Sequence, residues 1–289
     1  MSILALILVL TSAFLHAFWN LAAKRAGRGA VFIFLLTSLS NIVYAPLALA
    51  LIARGEVDFT PMMFVFIIGN SFLHISYFLL LSYGYKLGDL SLVYPLARGT
   101  GPMFSTLAAV ILFHERPSLL ATAGIICIGI GVMIFSGGIK LLRDTENRAA
   151  LIFALATGLI IATYTIWDKY AVSHLEIHPL VYDWSGSMFR MLFLGIYLQT
   201  LGLGWDSVRQ EWRAYKREAL IVAILSPLAY ILVLTALTFS PVSYIAPARE
   251  VSILIGAAMG ARLLSEGDQT RRLTAASIIV IGLIALALG

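Results

Sequence analysis

The chain has 289 residues, of which 60% are hydrophobic and only 12% charged, and its mean hydropathy of +0.93 excludes an ordinary soluble domain, where about 25% of residues are charged. The net charge of +5 would suggest a nucleic-acid partner in a soluble protein, but in a membrane protein the same excess reads as positive-inside bias and implies no nucleic acid. A single cysteine, Cys127, rules out an intramolecular disulfide.

A membrane-spanning helix needs about 20 apolar residues. Cut on that rule, the chain predicts ten spans: 3–22, 31–53, 62–85, 90–113, 118–137, 149–171, 180–203, 219–239, 242–264 and 272–288. The first span carries His16, Trp19 and Asn20 towards its end, and His16 and Asn20 share a face. The third places Asn70, His74 and Tyr77 on one face. The fourth opens with Tyr94 and Pro95, holds Arg98 among Gly99, Gly101 and Pro102, and runs out near Glu115. A polar connection over 140–148 follows the fifth span and divides residues 1–139 from 149–289. The sixth span ends in Trp167-Asp168, and the seventh contains Arg190. Residues 204–218, with two tryptophans, a tyrosine and mixed charges, read as an amphipathic interfacial segment ahead of the eighth span, which holds Tyr230. In the ninth, Pro241 and Pro247 precede Arg249-Glu250, so breakers and charge coincide as they do around Arg98.

These landmarks repeat. Arg98 and Arg249 stand 151 residues apart, and so do Glu115 and Glu266, Ala97 and Ala248, and Gly131 and Gly282; Trp19 and Trp167 stand 148 apart. Two arginines in register within apolar runs, each costing roughly 2.5–3.5 kcal/mol on insertion scales, point to a duplicated unit with a buried polar centre. Five spans per copy force the second copy to enter the membrane upside down. The expected fold is therefore all-α integral membrane: ten transmembrane helices forming two inverted five-helix repeats joined by a cytoplasmic linker, an architecture common in secondary transporters. Of the twenty lysines and arginines, with Lys169 and Arg262 near the ends of their spans counted with the adjoining connections, fourteen fall in odd-numbered connections, three in even-numbered ones (Arg54, Arg116, Lys169) and three deeper inside spans. That split puts the odd connections in the cytoplasm and both termini outside.

A chain of this length in two five-span halves, with a tryptophan late in each first span and an apolar run ending in glutamate (FHERPS at 113–118, LSEGDQ at 264–269), resembles the EamA-type branch of the drug/metabolite transporter superfamily. The resemblance extends over essentially the whole chain. It implies a basket of helices around a central cavity in the inner or plasma membrane, and export or exchange of a small polar metabolite such as an amino acid. It implies no cofactor, and leaves monomer or homodimer open. The second copy departs from the first at Asp168, where the first has Asn20, and at Arg271-Arg272, where the first has no charge.

The residues themselves allow two readings at most positions. Arg98 and Arg249 can bind an anionic group of a substrate or serve as structural ion-pair partners. Glu250, read as the only acid deep in a span, is the candidate proton carrier with Asp168 beside it; the alternative is a salt bridge to Arg190 or Arg98. His16, Asn20, His74 and Tyr77 can line the cavity or glue helices together. Trp19 and Trp167 can stack on a substrate or simply pack, and Tyr94 and Tyr230 can supply aromatic wall. Glu115 and Glu266, at span ends, are expected to cap a helix or hold a turn. A broken helix at membrane depth leaves backbone groups that only protein or a wet cavity can satisfy, so the Arg98 and Arg249 regions are the expected site; the alternative is a simple kink that shapes the bundle. No Walker A loop, G-x-S-x-G or H-E-x-x-H occurs, so no enzyme is expected; a membrane-embedded enzyme or a lipid-carrying or scaffolding subunit is the alternative. His174 and His178 lie in a short connection without ligand-rich surroundings, and no metal site is expected there.

Overall fold

A computed structural model describes residues 1–25, 29–87, 90–135, 148–255 and 269–289. Among them all regular structure is helical. The helices are α1 (Ile3–Arg25), α2 (Ala30–Ala53), α3 (Pro61–Leu87), α4 (Leu90–Leu112), α5 (Leu119–Phe135), α6 (Arg148–Ser173), α7 (Pro179–Thr200), α8 (Trp205–Phe239), α9 (Val242–Ala248) and α10 (Gln269–Leu288). Residues 140–147 of the linker, Glu266 and the side chain of Tyr94 lie outside the described residues.

Helix boundaries follow local chemistry. Pro61 and Pro179 sit at the first positions of α3 and α7, where a missing N–H costs nothing. The hydroxyl of Thr60 accepts from Met63 N–H at 3.2 Å and that of Ser118 from Ala121 N–H at 3.1 Å, so a side chain caps α3 and α5. After α2 and α7 the chain turns through Gly55 (φ 72°) and Gly202 (φ 68°), in the left-handed region that glycine enters without strain.

The expected interfacial segment at 204–218 is the first part of α8, which continues through the eighth span as one 35-residue helix bent at Tyr215 (φ −134°, ψ 29°). Val208, Trp212 and Tyr215 pack against Phe32 and Leu35 of α2, which is why this amphipathic stretch folds onto the bundle.

Helix pairing sets the architecture. α1 packs on α8, α3 and α4 on α6, α2 on α7 and α8, and α5 on α10. The α5–α10 contact is backbone against backbone: a Cβ added at Gly124 would lie 2.5 Å from the carbonyl oxygen of Gly282, and one at Gly282 would lie 2.8 Å from that of Gly124. Small residues are what let helices approach so closely where lipid removes the hydrophobic drive.

Among the described residues five helical segments are long and apolar enough to cross a membrane, Ile3–Ala23, Ala30–Ala53, Pro61–Leu87, Arg148–Ser173 and Trp205–Phe239, and three shorter ones are apolar. Outward-facing Ile42, Phe72, Leu119 and Ile281 are more than half exposed, as suits a surface covered by lipid. The molecule is a multi-pass membrane protein.

Candidate functional site

A cavity of about 540 Å³ lies inside the bundle. Its lining comes from the later half of α1 (Ser12 to Trp19), the early half of α2 (Ala30 to Ser40), the later part of α3 (His74 to Leu79), α7 and α8, with Arg98, Tyr164, Arg249 and Ser252 adding to the wall at the centre. The hollow therefore extends from the middle of the bundle towards the end that holds the α1–α2 and α7–α8 connections.

The opposite end is packed. Phe66 stacks on Trp167 at 4.2 Å and on Tyr170 at 5.4 Å; Tyr170 stacks on His174 at 4.8 Å, and His174 on Phe113 at 5.4 Å. The Glu115 carboxylate accepts from the N–H groups of Val242 and Ser243 at 2.8 and 2.9 Å. It caps a helix, as expected, but α9 rather than the neighbouring α5. A carboxylate there meets the positive end of the helix. Lys169 Nζ donates to the carbonyls of Leu237 (2.7 Å) and Ser240 (3.2 Å), holding the end of α8 beside it. The His174–His178 connection is thus used for stacking and for capping, His178 Nδ1 accepting from Leu180 N–H at 3.3 Å.

Most of the sequence-nominated residues meet at the cavity. Arg98, Arg249, His16 and Trp19 contribute to its wall, as do His74, Tyr77 and Tyr230. Asn20 does not: its amide donates to the His16 carbonyl at 2.7 Å, back onto its own helix. Nor does Trp167, whose indole N–H donates to the Phe66 carbonyl at 2.9 Å within the packed end. Asp168, next in the chain, turns the other way into the centre.

The two arginines have different surroundings. Arg98 forms a salt bridge with Glu250 at 3.2 Å, both side chains less than a tenth exposed. Arg249 is half-buried, its guanidinium 5.9 Å from the centroid of the Tyr230 ring. Among the described residues no carboxylate comes within 4.0 Å of it. The backbone explains the divergence. Around Arg249 the ninth span breaks: α9 stops at Ala248, and Glu250, Ser252 and Ile253 N–H groups donate three residues back, to Pro247, Arg249 and Glu250. This tightened turn sends Arg249 to the cavity and Glu250 to α4. The fourth span, expected to break likewise, runs unbroken from Leu90 to Leu112 despite Pro95 and Pro102. It is held along α6, where a Cβ at Gly101 would lie 2.6 Å from Ile161.

Glu250 is not the only acid deep in a span. Asp168 and Asp183 are 1% and 4% exposed. Asp168 accepts from Asn70 Nδ2 and Tyr182 OH, each at 2.8 Å, and from Tyr230 OH. Because the Tyr230 hydrogen is committed to Asp168, His74 Nε2, 3.1 Å from the same oxygen, is the donor to it. Arg190 bonds Asn70 Oδ1 at 2.9 Å and pairs with Asp183 at 3.1 Å. One hydrogen-bonded chain therefore links Asp183, Arg190, Asn70, Asp168, Tyr230 and His74 across α7, α3, α6 and α8. Sequence reasoning missed Asp183 and Tyr182. The usable signal was Asp183 and Arg190 seven apart, on one face of an apolar helix.

A helical membrane basket with a charged internal cavity is the class these features define. Residues 3–137, a little under half of the chain, match the model of the EamA-like transporter family, so this segment is similar to that family, which lies within the drug/metabolite transporter superfamily. None of the curated proteins matches. Twenty-eight chains of solved structures do. One, described only as "Crystal structure of protein", has a TM-score of 0.77 at 16% identity, over 98% of this chain and 96% of its own, a likeness of fold alone.

Proposed function

We propose that the chain is a secondary transporter moving a small organic solute across the cell membrane by alternating access, with ten spans acting as two inverted repeats, 1–139 and 149–289. The observation that carries this reading is the 540 Å³ cavity, hollow towards one end of the bundle and packed shut at the other. Alternating access requires such a state and its inverse around a fixed midplane site. The helix pairings fit a swap of halves: α1 on α8 exchanges with α6 on α3, while α2–α7 and α5–α10 exchange with themselves. The charge split makes the hollow end cytoplasmic, so the state is inward-open and solute loads from inside for export or exchange. Arg249 and Tyr230 are the proposed substrate contacts, flanked by His16, Trp19, His74 and Tyr77. For proton coupling we favour Asp168, joined to the wall through Tyr230, over Glu250, which is engaged by Arg98.

Flux of a mixed metabolite panel in proteoliposomes, with and without an imposed pH gradient, tests this. Gradient-driven accumulation of a panel member is the expected result. Asp168→Asn should lose accumulation but keep exchange, whereas Glu250→Gln should lose both along with protein yield. Chemical turnover of a panel member without its movement would overturn the reading in favour of an enzyme.

A further inference from the structure

The charges around the cavity restrict what it can hold. The described acids of the polar centre are already engaged: Glu250 by Arg98, Asp183 by Arg190, and Asp168 by three neutral donors. Arg249 is the opposite case, a guanidinium in the cavity wall with an aromatic face beneath it and, among the described residues, no carboxylate within 4.0 Å. An arginine presents five donors in a planar fork that suits a carboxylate, phosphonate or phosphate. The remainder of the wall is mainly carbon. Ile33 and Leu36 of α2, Phe193 and Leu194 of α7, and Trp19 and Tyr77 face the same space. Small-molecule pockets of about 300–1,000 Å³ are typically lined in this way, apolar with a few convergent polar groups.

From this we infer that the cavity selects an organic monoanion with an apolar or aromatic body, its anionic group on Arg249 above Tyr230, and discriminates against zwitterions and cations. An amino acid would bring an ammonium group for which the cavity has, among the described residues, no disengaged carboxylate, so its desolvation would go uncompensated. The same body without the ammonium loses nothing. Selection is then a difference in affinity set by an absent counter-charge as much as by a present one. This inference rests on the transporter reading only for the movement of the ligand; the binding chemistry stands on the cavity itself.

Four probes separate the possibilities on the purified full-length protein: 3-phenylpropanoate, phenylalanine and 3-phenylpropylamine, which share one ring and chain, and acetate, which has the anion without the body. Binding is followed by tryptophan fluorescence and by thermal stabilisation. 3-Phenylpropanoate should bind more tightly than each of the others by about tenfold or more, a gap that one uncompensated ammonium supplies for phenylalanine and the amine and that the missing apolar body supplies for acetate. Arg249→Gln should remove that preference, and Arg249→Lys should keep part of it, since the charge stays and the fork goes. Phenylalanine or the amine binding as tightly as the anion, an undiminished preference in Arg249→Gln, or no binding of 3-phenylpropanoate would each overturn the inference. In proteoliposomes the two readings fail differently. Binding of the anion at Arg249 without flux sinks the transporter reading alone; flux of phenylalanine or of the amine in preference to the anion sinks the inference alone.

Discussion

Arg98 and Arg249 occupy the same register position in the two halves, yet one is bound to an acid and the other stands over a tyrosine ring. Arg98 sits on an unbroken helix and meets Glu250 at 3.2 Å; Arg249 sits on a turn and faces the cavity. A duplicated sequence therefore does not duplicate a role. The second copy supplies both the acid that occupies the first copy's arginine and the backbone break that releases its own. The polar centre is asymmetric because the second copy has Glu250 where the first has Gly99, 151 residues earlier.

The largest effect should come from separating the buried pair. Arg98→Ala leaves Glu250 uncompensated and should cost roughly 3–5 kcal/mol, read as a lower thermal midpoint and reduced yield in detergent. Combining Arg98→Met with Glu250→Leu removes both charges and should restore much of that loss. Arg249→Ala should change stability by no more than about 1–2 kcal/mol, an ordinary point-mutant effect, while abolishing ligand binding. Equal destabilisation by the two alanine variants would erase the contrast between structural and binding arginine. Glu250 adjoins Arg249 in the sequence but pairs with Arg98 in the structure.

A middle-sized effect is expected at Tyr230, which serves both systems. Its hydroxyl joins Asp168 to His74, and its ring lies under Arg249. Tyr230→Phe leaves Asp168 with two donors and His74 without its acceptor, a cost of about 1–3 kcal/mol, yet keeps the ring and so should retain most anion affinity. Tyr230→Leu removes the ring as well, and the ~0.5–2 kcal/mol of a cation–π contact should appear as weaker binding. Identical affinities in the two variants would show that Arg249 needs no aromatic support.

Helix positions were legible because a run of about 20 apolar residues has few alternatives to a spanning helix. The arginine register and the helix-end role of Glu115 were legible for a related reason: charge within or beside such a run is costly enough to stand out. What periodicity does not carry is which helix a face meets. Trp167 and Asp168 are adjacent, and only the packing of α6 between α3 and α4 decides that the tryptophan joins the closed end while the aspartate enters the centre. Asp183 escaped notice because its partner, Arg190, was read as a possible mate for Glu250. The prolines of both copies allow a break or a simple kink, because proline only removes a hydrogen bond; neighbouring packing decides whether the helix holds, and it holds in α4 and breaks after α9.

The smallest effect concerns the closed end and would sharpen the comparison of the halves. Glu115 accepts from two N–H groups at the start of α9, and Glu115→Gln keeps one oxygen acceptor but loses the charge that favours a helix N-terminus. The expected cost is about 0.3–1 kcal/mol, too little to unfold the protein. On the proposed alternating-access reading it is enough to shift a balance between inward-open and outward-open states, in which a few tenths of a kcal/mol alter populations measurably. A cysteine introduced at Ser240, beside this contact, should react faster with a membrane-impermeant thiol reagent added from outside once the carboxylate is gone. Glu266 holds the matching register position in the second half. If inversion has preserved this contact, Glu266→Gln should loosen the start of α4 at the opposite end and slow labelling at Ser240 by favouring the state closed outside. Opposite signs in the two variants would mean that the gates remain symmetric around a centre that is not. Labelling unchanged by Glu266→Gln would extend the asymmetry of Arg98 and Arg249 to the ends of the bundle.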